Sequence, residues 1–438
     1  MESVEATSFN SLVEHYLGTR LPRRLSDRIS FSELPTEAQG VILRLLTLMK
    51  RSSCPATEIN SQMIWLLASA TPGMLPPAWG GHIPPVTSQG RHKKLDDYVI
   101  KRMHASINER SVYIDLGCGF PPATTIDTAE RLPDWTVFGI DRSFSRYVLY
   151  DIDGNYACFN RYGKLQYLQA QTKPLNQHSD VIKERFNSLF TKLCPQLHIF
   201  DEHCSVTVEK NGYRLVYNHI RDFEGKNLKF LKADIDHLQV PLAGTVRCMN
   251  VLLYFEKDIR ESMLSKIFTL IDDGGLLITG FNHPFGIYAR YSVYTKDKTG
   301  VHPLEFSFSM DNLRPLGIGP WLTLADEDRE AELLADLTRA IRADGCFWAD
   351  FNRYVDLLRA KYGICDRDSG GFIYFTEDSR NASPGAIMER VSALWTQLED
   401  EGYTDGAIEA LGRAGYQAWK NPVGDIAVFP PDGSLPKT

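Results

Sequence analysis

The sequence predicts an α/β protein built around a mostly parallel sheet, and three observations lead to this prediction. An apolar run that contains Asp115 leads into two glycines one residue apart, Gly117 and Gly119. A second apolar run ends in Asp141. Further strand-like and helix-like segments alternate downstream, which is typical of strands joined by helical crossovers. In such sheets, ligands bind beyond the carboxyl ends of the strands.

The glycine turn has the features of a nucleotide-binding strand–turn–helix–strand unit. Gly117 and Gly119 lack the Cβ that would keep a ligand from the backbone, and Asp141 can accept hydrogen bonds from both ribose hydroxyls. A dinucleotide is disfavoured, because the third glycine of the usual fingerprint is replaced by Pro122. Pro121 and Pro122 supply no amide donors where a pyrophosphate requires them. The turn therefore predicts an adenosine cofactor without a pyrophosphate.

Two later segments extend this pattern. The segment FLKADI at 230–235 ends at the tip of a predicted third strand. The segment RCMNVLLYF at 247–255 predicts a fourth strand, and DGGLLI at 273–278 predicts a fifth strand after an intervening helix. With the glycine turn, these segments resemble the class I S-adenosylmethionine-dependent methyltransferases. The resemblance implies a Rossmann-like methyltransferase core and S-adenosylmethionine as the cofactor.

The resemblance also implies which residues bind that cofactor. Asp234 is expected to read the adenine amino group, and Asn250 is expected to lie under the adenosine and methionine moieties. Arg142 has two interpretations: it flanks the adenine, or it is an exposed residue at the end of a strand. The full expected cofactor set is Asp115, Gly117, Gly119, Asp141, Arg142, Asp234, Ile235, Asn250 and Val251.

The chain is predicted to have three parts. Residues 1–105 form an N-terminal helical cap followed by a Pro/Gly loop, with helices over 9–17 and 38–49. Residues 106–320 form the core, and residues 321–438 form a mainly helical extension. The loop at 72–85 is open to two interpretations, a cover over the cofactor cleft or a packed connector.

The core carries an insertion at about 145–222. The turn signals Asp153-Gly154 and Tyr162-Gly163 predict two successive hairpins, and Asn211-Gly212 predicts a third hairpin after a helix at 181–193. Since the insertion leaves the core just after Asp141, its tyrosines are placed to form a lid. The alternative is a dimerisation or packing appendage.

Charge and cysteine usage exclude several classes of function. The formal net charge is −7 and basic residues are scattered, which disfavours a nucleic-acid surface. The densest basic run, at 91–94, is expected to be a solvated helix start. The eight cysteines show no metal or disulfide spacing, which predicts a reducing, cytoplasmic setting without a metal. Neither a signal peptide nor a membrane span is expected, and the oligomeric state is left open.

Three functions fit this sequence. The first is methyl transfer to a small-molecule acceptor in specialised metabolism. The second is cyclisation of S-adenosylmethionine alone to azetidine-2-carboxylate with release of methylthioadenosine. It is considered because a methyltransferase-like core with a large inserted lid resembles the azetidine-2-carboxylate synthases of bacterial peptide-antibiotic pathways. The third is cofactor binding without turnover.

The candidate catalytic residues are two tyrosines and a histidine. His283 immediately follows the fifth strand, and a surface or structural histidine in a turn is the alternative. Tyr254 follows Asn250, with core packing as its alternative. Tyr156 reaches the site only if the inserted hairpins fold back. Tyr150, Tyr156 and Tyr254 are also candidates for an aromatic cage around the sulfonium.

Overall fold

The computed structural model describes residues 9–17, 34–60, 63, 89–103, 111–142, 144–169, 179–282, 289–324 and 326–430. Its first helices are α1 (Phe9–Leu17), α2 (Thr36–Arg51) and α3 (Lys93–Met103). Leucines and other apolar residues of α1 and α2 share one buried cluster, which confirms the two predicted N-terminal helices. The loop at 72–85 lies outside the described residues.

The glycine turn lies between two parallel strands. Strand β1 (Val112–Leu116) is buried along its whole length and is followed by α4 (Ala123–Arg131) and β2 (Thr136–Asp141). The two strands pair in register from Val112 with Thr136 to Leu116 with Ile140. A short strand buried on both faces is typical of a parallel sheet covered by helices.

The insertion forms an antiparallel sheet of five strands and one helix. Its strands lie in the order β5-β4-β3-β7-β6. Both predicted hairpins, the helix and the third hairpin are confirmed. The elements are β3 (Tyr147–Tyr150), β4 (Tyr156–Phe159), β5 (Leu165–Gln169), α5 (Ser179–Leu193), β6 (Val206–Lys210) and β7 (Tyr213–Tyr217).

The two faces of this inserted sheet have different neighbours. Helix α5 packs Phe186 and Phe190 against one face, where they meet Leu149 and Phe159 in a buried cluster. Because side chains alternate along a strand, Tyr150 and the start of β4 point to the opposite face. That opposite face is the one that meets the glycine turn.

The chain then returns to the parallel strands and continues into a second set. Strand β8 (Leu228–Lys232) pairs parallel with β2, which gives the local order β1-β2-β8. The next elements are β9 (Ala243–Met249), α6 (Lys257–Thr269), β10 (Ile271–Asn282), β11 (Ala289–Asp297) and β12 (Gly300–Phe308). Strands β9 and β10 are parallel, whereas β11 is antiparallel to both β10 and β12.

The fourth strand differs from its prediction. It ends at Met249, whereas the sequence predicted a strand over 247–255. Asn250 has a left-handed φ of 60°, a conformation that interrupts extended backbone. The apolar residues after it form a 3₁₀ turn at Leu252–Tyr254 instead. The hydrophobic run was therefore misleading, because a buried turn and a buried strand have similar composition.

The C-terminal part is mainly helical, as predicted. Strand β16 pairs with β12, so the end of the chain extends the sheet of the second set of strands. The elements are α7 (Arg329–Ala343), α8 (Gly345–Lys361), β13 (Cys365–Arg367), β14 (Ile373–Phe375), α9 (Glu377–Asn381), α10 (Pro384–Asp400), α11 (Tyr403–Arg413), β15 (Ala418–Lys420) and β16 (Ile426–Val428).

These elements belong to two compact units. The turn unit comprises Pro76–Gly90 and Asn108–Val240, and therefore contains the glycine turn, β1, β2, β8 and the insertion. The second unit comprises Met1–Leu75, Arg91–Ile107 and Pro241–Thr438. Parallel strands alternating with helices in both units confirm the predicted α/β class with a mostly parallel, Rossmann-like core.

Candidate cofactor and active site

The glycine turn is held against the end of β2. Gly117 and Gly119 have φ angles of 73° and 70°, a left-handed conformation that costs most residues energy because of their Cβ. The amides of Gly117 and Cys118 both donate to the carbonyl of Ile140, at 2.8 and 3.2 Å. The side chain of Cys118 is 2% exposed, which fits a small filler in the turn. These bonds fix the turn at the carboxyl edge of the strands.

Two carboxylates brace the same turn from different sides. The amide of Gly119 donates to Oδ2 of Asp141 at 3.1 Å. On the other side, the Thr125 hydroxyl of α4 donates to Oδ2 of the buried Asp115 at 2.6 Å. Asp141 is thereby placed beside the turn, while Asp115 ties the following helix to β1. Asp115 is buried, whereas Asp141 is partly exposed at the end of β2.

The backbone donors of this turn fit a ligand without phosphate groups better than a pyrophosphate. The amides of Gly117, Cys118 and Gly119 are all bonded to residues of β2. Pro121 and Pro122 have no amide hydrogen, so only Phe120 remains as a donor between 117 and 122. Phosphate-binding turns direct several amides at the anion. The sequence disfavoured a dinucleotide ligand, and this geometry supports that prediction.

The third strand places Asp234 beside Asp141. Lys232 is in register with Asp141, and the amide of Ala233 donates to the Asp141 carbonyl at 3.2 Å. Asp234 is exposed and caps the 3₁₀ turn that starts at Ile235. Arg142 is also exposed. The structure thus brings the predicted ribose and adenine acids to one edge, with Asp234 open to solvent.

An aromatic cluster lies directly after the glycine turn. Phe120 packs edge-to-face or tilted against Tyr156 of β4, His219 and Phe223, with ring centroids 6.5, 5.7 and 6.1 Å away. Tyr150 of β3 meets both Tyr156 and His219, at 5.7 and 5.6 Å. We call these five residues the turn cluster. The inserted hairpins have therefore folded back onto the turn. Tyr156 was expected to reach the site only if they did so.

His219 is the centre of this cluster and was not identified from the sequence. Its Nδ1 lies 2.8 Å from Oδ2 of Asp222, and its Nε2 lies 3.0 Å from the Tyr150 hydroxyl. Burial lowers the pKa of His219 from its usual value, although the Asp222 carboxylate opposes this shift. Burial also raises the pKa of Tyr150 to about 12. The imidazole is therefore neutral near pH 7 and can accept a proton.

Tyr156 is less suited to act as a base. Burial raises its pKa far above the ordinary value for tyrosine, and the neighbouring Tyr167 adds to this rise. Its ring nevertheless faces Phe120, so it lines the space beside the turn. Tyr156 is therefore better suited to line the site than to accept a proton.

In the second unit, Asn250 joins the ends of β9 and β10. Its Oδ1 accepts from the amide of Asn282 at 2.9 Å, and Nε of Arg91 donates to Oδ1 of Asn282 at 2.9 Å. Arg91 and His92 are only 8% and 6% exposed, so the expectation of a solvated basic run is wrong for these two residues. They are buried because α3 begins only at Lys93 and the preceding turn packs inward.

The remaining candidates are placed less favourably. Tyr254 lies in the 3₁₀ turn after β9, not in the predicted strand, and is 42% exposed. Val251 precedes that turn. His283 lies outside the described residues.

Within the described part of the chain, no cluster of three or more metal-ligating side chains occurs. Of the helices described, none has the length and apolar character needed to cross a membrane.

The strand pairing and the glycine turn define a Rossmann-like α/β protein, the fold class that the sequence predicted. No family model matches the chain, and no curated protein matches it. Among solved structures, it is similar to magnesium protoporphyrin IX methyltransferase from Synechocystis with bound S-adenosylhomocysteine, at 16% identity and a TM-score of 0.21. That match covers 43% of this chain and 55% of the other.

Two further solved structures are similar at the same level. An N-methyltransferase from Bradyrhizobium japonicum in complex with S-adenosylhomocysteine shares 10% identity, covering 44% of this chain and 63% of that one, with a TM-score of 0.21. An S-adenosylmethionine-dependent methyltransferase from Clostridium acetobutylicum shares 11% identity, covering 56% and 78%, with a TM-score of 0.23. The chain spans less than two-thirds of the first two structures. The fold class therefore follows from strand pairing and turn geometry, not from these likenesses.

Proposed function

We propose that this protein is an S-adenosylmethionine-dependent enzyme that transfers a methyl group to a small-molecule acceptor. The observation that carries the proposal is the Gly119–Asp141 hydrogen bond, because it holds a carboxylate beside a glycine turn whose amides are bonded within the protein, and such a carboxylate could accept from ribose hydroxyls. An adenosyl group needs a ribose acceptor and an open backbone, but no anion cradle. Asp234 supplies a second acceptor at the same edge, in position for an adenine amino group.

The turn cluster supports a sulfonium ligand in particular. Aromatic faces attract cations, and the rings of Phe120, Tyr150 and Tyr156 lie directly after the turn that would hold the adenosyl group. The attraction is larger where water is displaced, as among these half-buried rings. One face of the Tyr150 ring already carries Arg214, with its guanidinium carbon 4.6 Å from the centroid. A sulfonium would therefore contact Phe120, Tyr156 or the other face of Tyr150.

Methyl transfer from a sulfonium requires the protein mainly to position the two reactants. The methyl carbon of a sulfonium is already electrophilic, so the site needs to hold a nucleophile in line with the carbon–sulfur bond. The new bond to carbon forms as the carbon–sulfur bond breaks. The electron pair stays on sulfur, and S-adenosylhomocysteine leaves. Residues of the inserted sheet would exclude water from this step, since their tyrosines cover the side of Phe120.

A second candidate is cyclisation to azetidine-2-carboxylate. The turn cluster favours it, because aromatic side chains packed directly after the turn would shield a folded methionine chain from water with no second substrate. The α-amino nitrogen would attack the γ-carbon as the carbon–sulfur bond breaks, and methylthioadenosine would leave. The nitrogen must lose a proton for this attack, so the reaction also needs a base.

One pair of experiments tests the proposal. Calorimetry with S-adenosylmethionine, S-adenosylhomocysteine and NAD should show binding of the first two only. The purified protein is then incubated with S-adenosylmethionine alone and with a panel of small nucleophiles (a phenol, an amine, a thiol and a carboxylic acid). S-adenosylhomocysteine that forms only with a nucleophile supports methyl transfer, whereas methylthioadenosine from the cofactor alone supports cyclisation. Binding of NAD without S-adenosylmethionine would refute both candidates.

The proposal includes specialised small-molecule metabolism in a cytoplasmic setting. All eight cysteines are free thiols, and five of them are buried. A chain with this many reduced thiols is typical of a reducing compartment.

A further inference from the structure

We propose that Tyr150, His219 and Asp222 form the proton-accepting relay of this enzyme, which takes the proton from the nucleophile that attacks the sulfonium carbon. The inference rests on the proposed function and adds to it the base, which neither the glycine turn nor the cofactor contacts supply. It applies equally to an external acceptor and to the α-amino group of the cofactor. All three residues belong to the insertion.

The hydrogen bonds define the direction of proton transfer. Asp222 is a carboxylate, so it accepts the proton on Nδ1 of His219 across 2.8 Å. This bond leaves the lone pair on Nε2 for the Tyr150 hydroxyl, which lies 3.0 Å away and donates to it. The order is therefore hydroxyl, imidazole, carboxylate. In this order, a histidine can pass a proton inward while the acid stabilises the imidazolium that forms.

The relay lies at the glycine turn and not elsewhere in the insertion. The His219 ring is 5.7 Å from the Phe120 ring, and Phe120 directly follows Gly119. Tyr150 ends β3 on the sheet face opposite α5, and His219 opens the 3₁₀ turn at His219–Phe223 after β7. Two separate segments of the insertion therefore converge on the side of the turn where the cofactor's reacting end is expected.

The surrounding charges suit a neutral base. Arg214 lies against the Tyr150 ring, and its positive charge, together with burial, disfavours a protonated His219. Asp222 opposes both effects and is 40% exposed. Cys158 and Tyr156 also face Tyr150; burial raises the pKa of the Cys158 thiol to about 12 and that of Tyr156 far above its ordinary value, so both stay uncharged. The imidazole therefore starts uncharged and gains a stabilising partner once it is protonated.

The proposed step balances without any further reagent. The nucleophile gives its proton to the Tyr150 oxygen while the Tyr150 proton moves to Nε2 of His219. At the same time the nucleophile bonds to carbon, the carbon–sulfur bond breaks and sulfur keeps the electron pair. The enzyme is left with an imidazolium paired to Asp222, and that proton returns to solvent after product release.

The test begins with the full-length protein labelled on histidine nitrogens. Nuclear magnetic resonance titration, with the His219 signal assigned from His219→Gln, should show the proton on Nδ1. Saturating S-adenosylmethionine should lower the His219 pKa by about one unit or more, because a sulfonium within several ångströms disfavours the imidazolium. The neutral S-adenosylhomocysteine should shift it less. An unchanged His219 pKa in the cofactor complex would overturn the relay.

Rates supply the second readout, in whichever of the two product assays the wild type is active. His219→Gln should lower kcat by about 100-fold or more and remove the acid limb of the pH profile, with the Kd for S-adenosylmethionine within about threefold of wild type. Tyr150→Phe and Asp222→Asn should lower kcat in the same assay. The matched controls are the exposed His203→Gln and Tyr162→Phe. A wild-type rate in His219→Gln refutes the relay alone, whereas failure of the wild type to bind S-adenosylmethionine refutes the proposed function itself.

Discussion

The backbone amide of Gly119 donates to the Asp141 carboxylate across 3.1 Å, so the glycine turn and the end of β2 are one hydrogen-bonded unit. Each residue depends on the other. The carboxylate needs the turn to hold it at the ligand edge, and the left-handed turn needs an acceptor for its last amide. Asp141 thus has a structural contact in the free protein and a proposed ligand contact in the complex.

The Asp141→Asn variant separates these two roles. The amide oxygen still accepts from Gly119, but the negative charge that would bind ribose hydroxyls is lost. Hydrogen bonds to charged groups contribute about 1.5–3 kcal/mol, so we expect calorimetry to show S-adenosylmethionine binding about 10-fold weaker or worse. The exposed Asp134→Asn in the same unit is the control and should bind normally. Equal affinity in both variants would show that Asp141 does not contact the ligand.

The Gly119→Ala variant tests how closely a ligand approaches the turn. A Cβ at a φ of 70° should cost about 1–2 kcal/mol of stability, and it should also weaken binding because it points toward the ligand edge. Gly90→Ala is a matched control, since Gly90 has a φ of 76° and open space around it. Both variants should lose similar stability in denaturant unfolding. If both also retain wild-type affinity for S-adenosylmethionine, the ligand does not lie against Gly119.

The buried pair of Asp96 and Arg247 should dominate stability near α3. Both side chains are fully buried and their charged atoms are 2.9 Å apart. Asp96→Ala removes the carboxylate paired with a fully buried guanidinium, which should cost about 3–5 kcal/mol in guanidinium or urea unfolding. Asp97→Ala, one residue along, removes a partly exposed pair with Lys93 and should cost less than about 1 kcal/mol. Similar losses for both variants would contradict this assignment.

Glu330 should make stability depend on pH in an unusual direction. Burial raises its pKa from 4.5 to about 7, and Asp328 adds to the rise, while the Ser292 hydroxyl donates to it. Because the folded pKa exceeds the unfolded one, its stabilising contribution is complete below pH 4.5 and is lost as the pH rises through about 7.

The neutral variant Glu330→Gln should remove this dependence. At pH 8 it should be more stable than the wild type by up to about 3 kcal/mol, and at pH 4.5 the two should be equal. Urea unfolding at both pH values provides the measurement, with the exposed Glu389→Gln as the control. A variant that is destabilised at both pH values would show that the charged form of Glu330 is the one the fold needs.

Local chemistry made much of this structure predictable. The turn glycines, the strand-end Asp141 and the hairpins at Asp153-Gly154 and Tyr162-Gly163 each depend on a few adjacent residues, and the structure confirms these turns and strands. Residue types at such positions are limited by backbone geometry, so a single sequence suffices.

The remaining features depend on contacts between distant residues. His219 and Tyr150 are 69 positions apart, and His219 has no motif around it. The fourth strand was extended too far because its apolar run continues past Asn250, whose left-handed backbone is not visible in composition. Arg91 was expected in solvent, yet the Asn282 amide that binds it lies 191 residues away. No local pattern encodes such pairs.

The inserted sheet uses its two faces for different purposes, with α5 packed on one and the turn cluster on the other. A molecule bound beside Phe120 would lie next to Tyr156 of β4. The hairpin residues would then determine which acceptor is used, and the glycine turn would bind the adenosyl group. Redesigning selectivity by exchanging Tyr156, which the relay does not use, should therefore be possible without rebuilding the part of the protein that retains the cofactor.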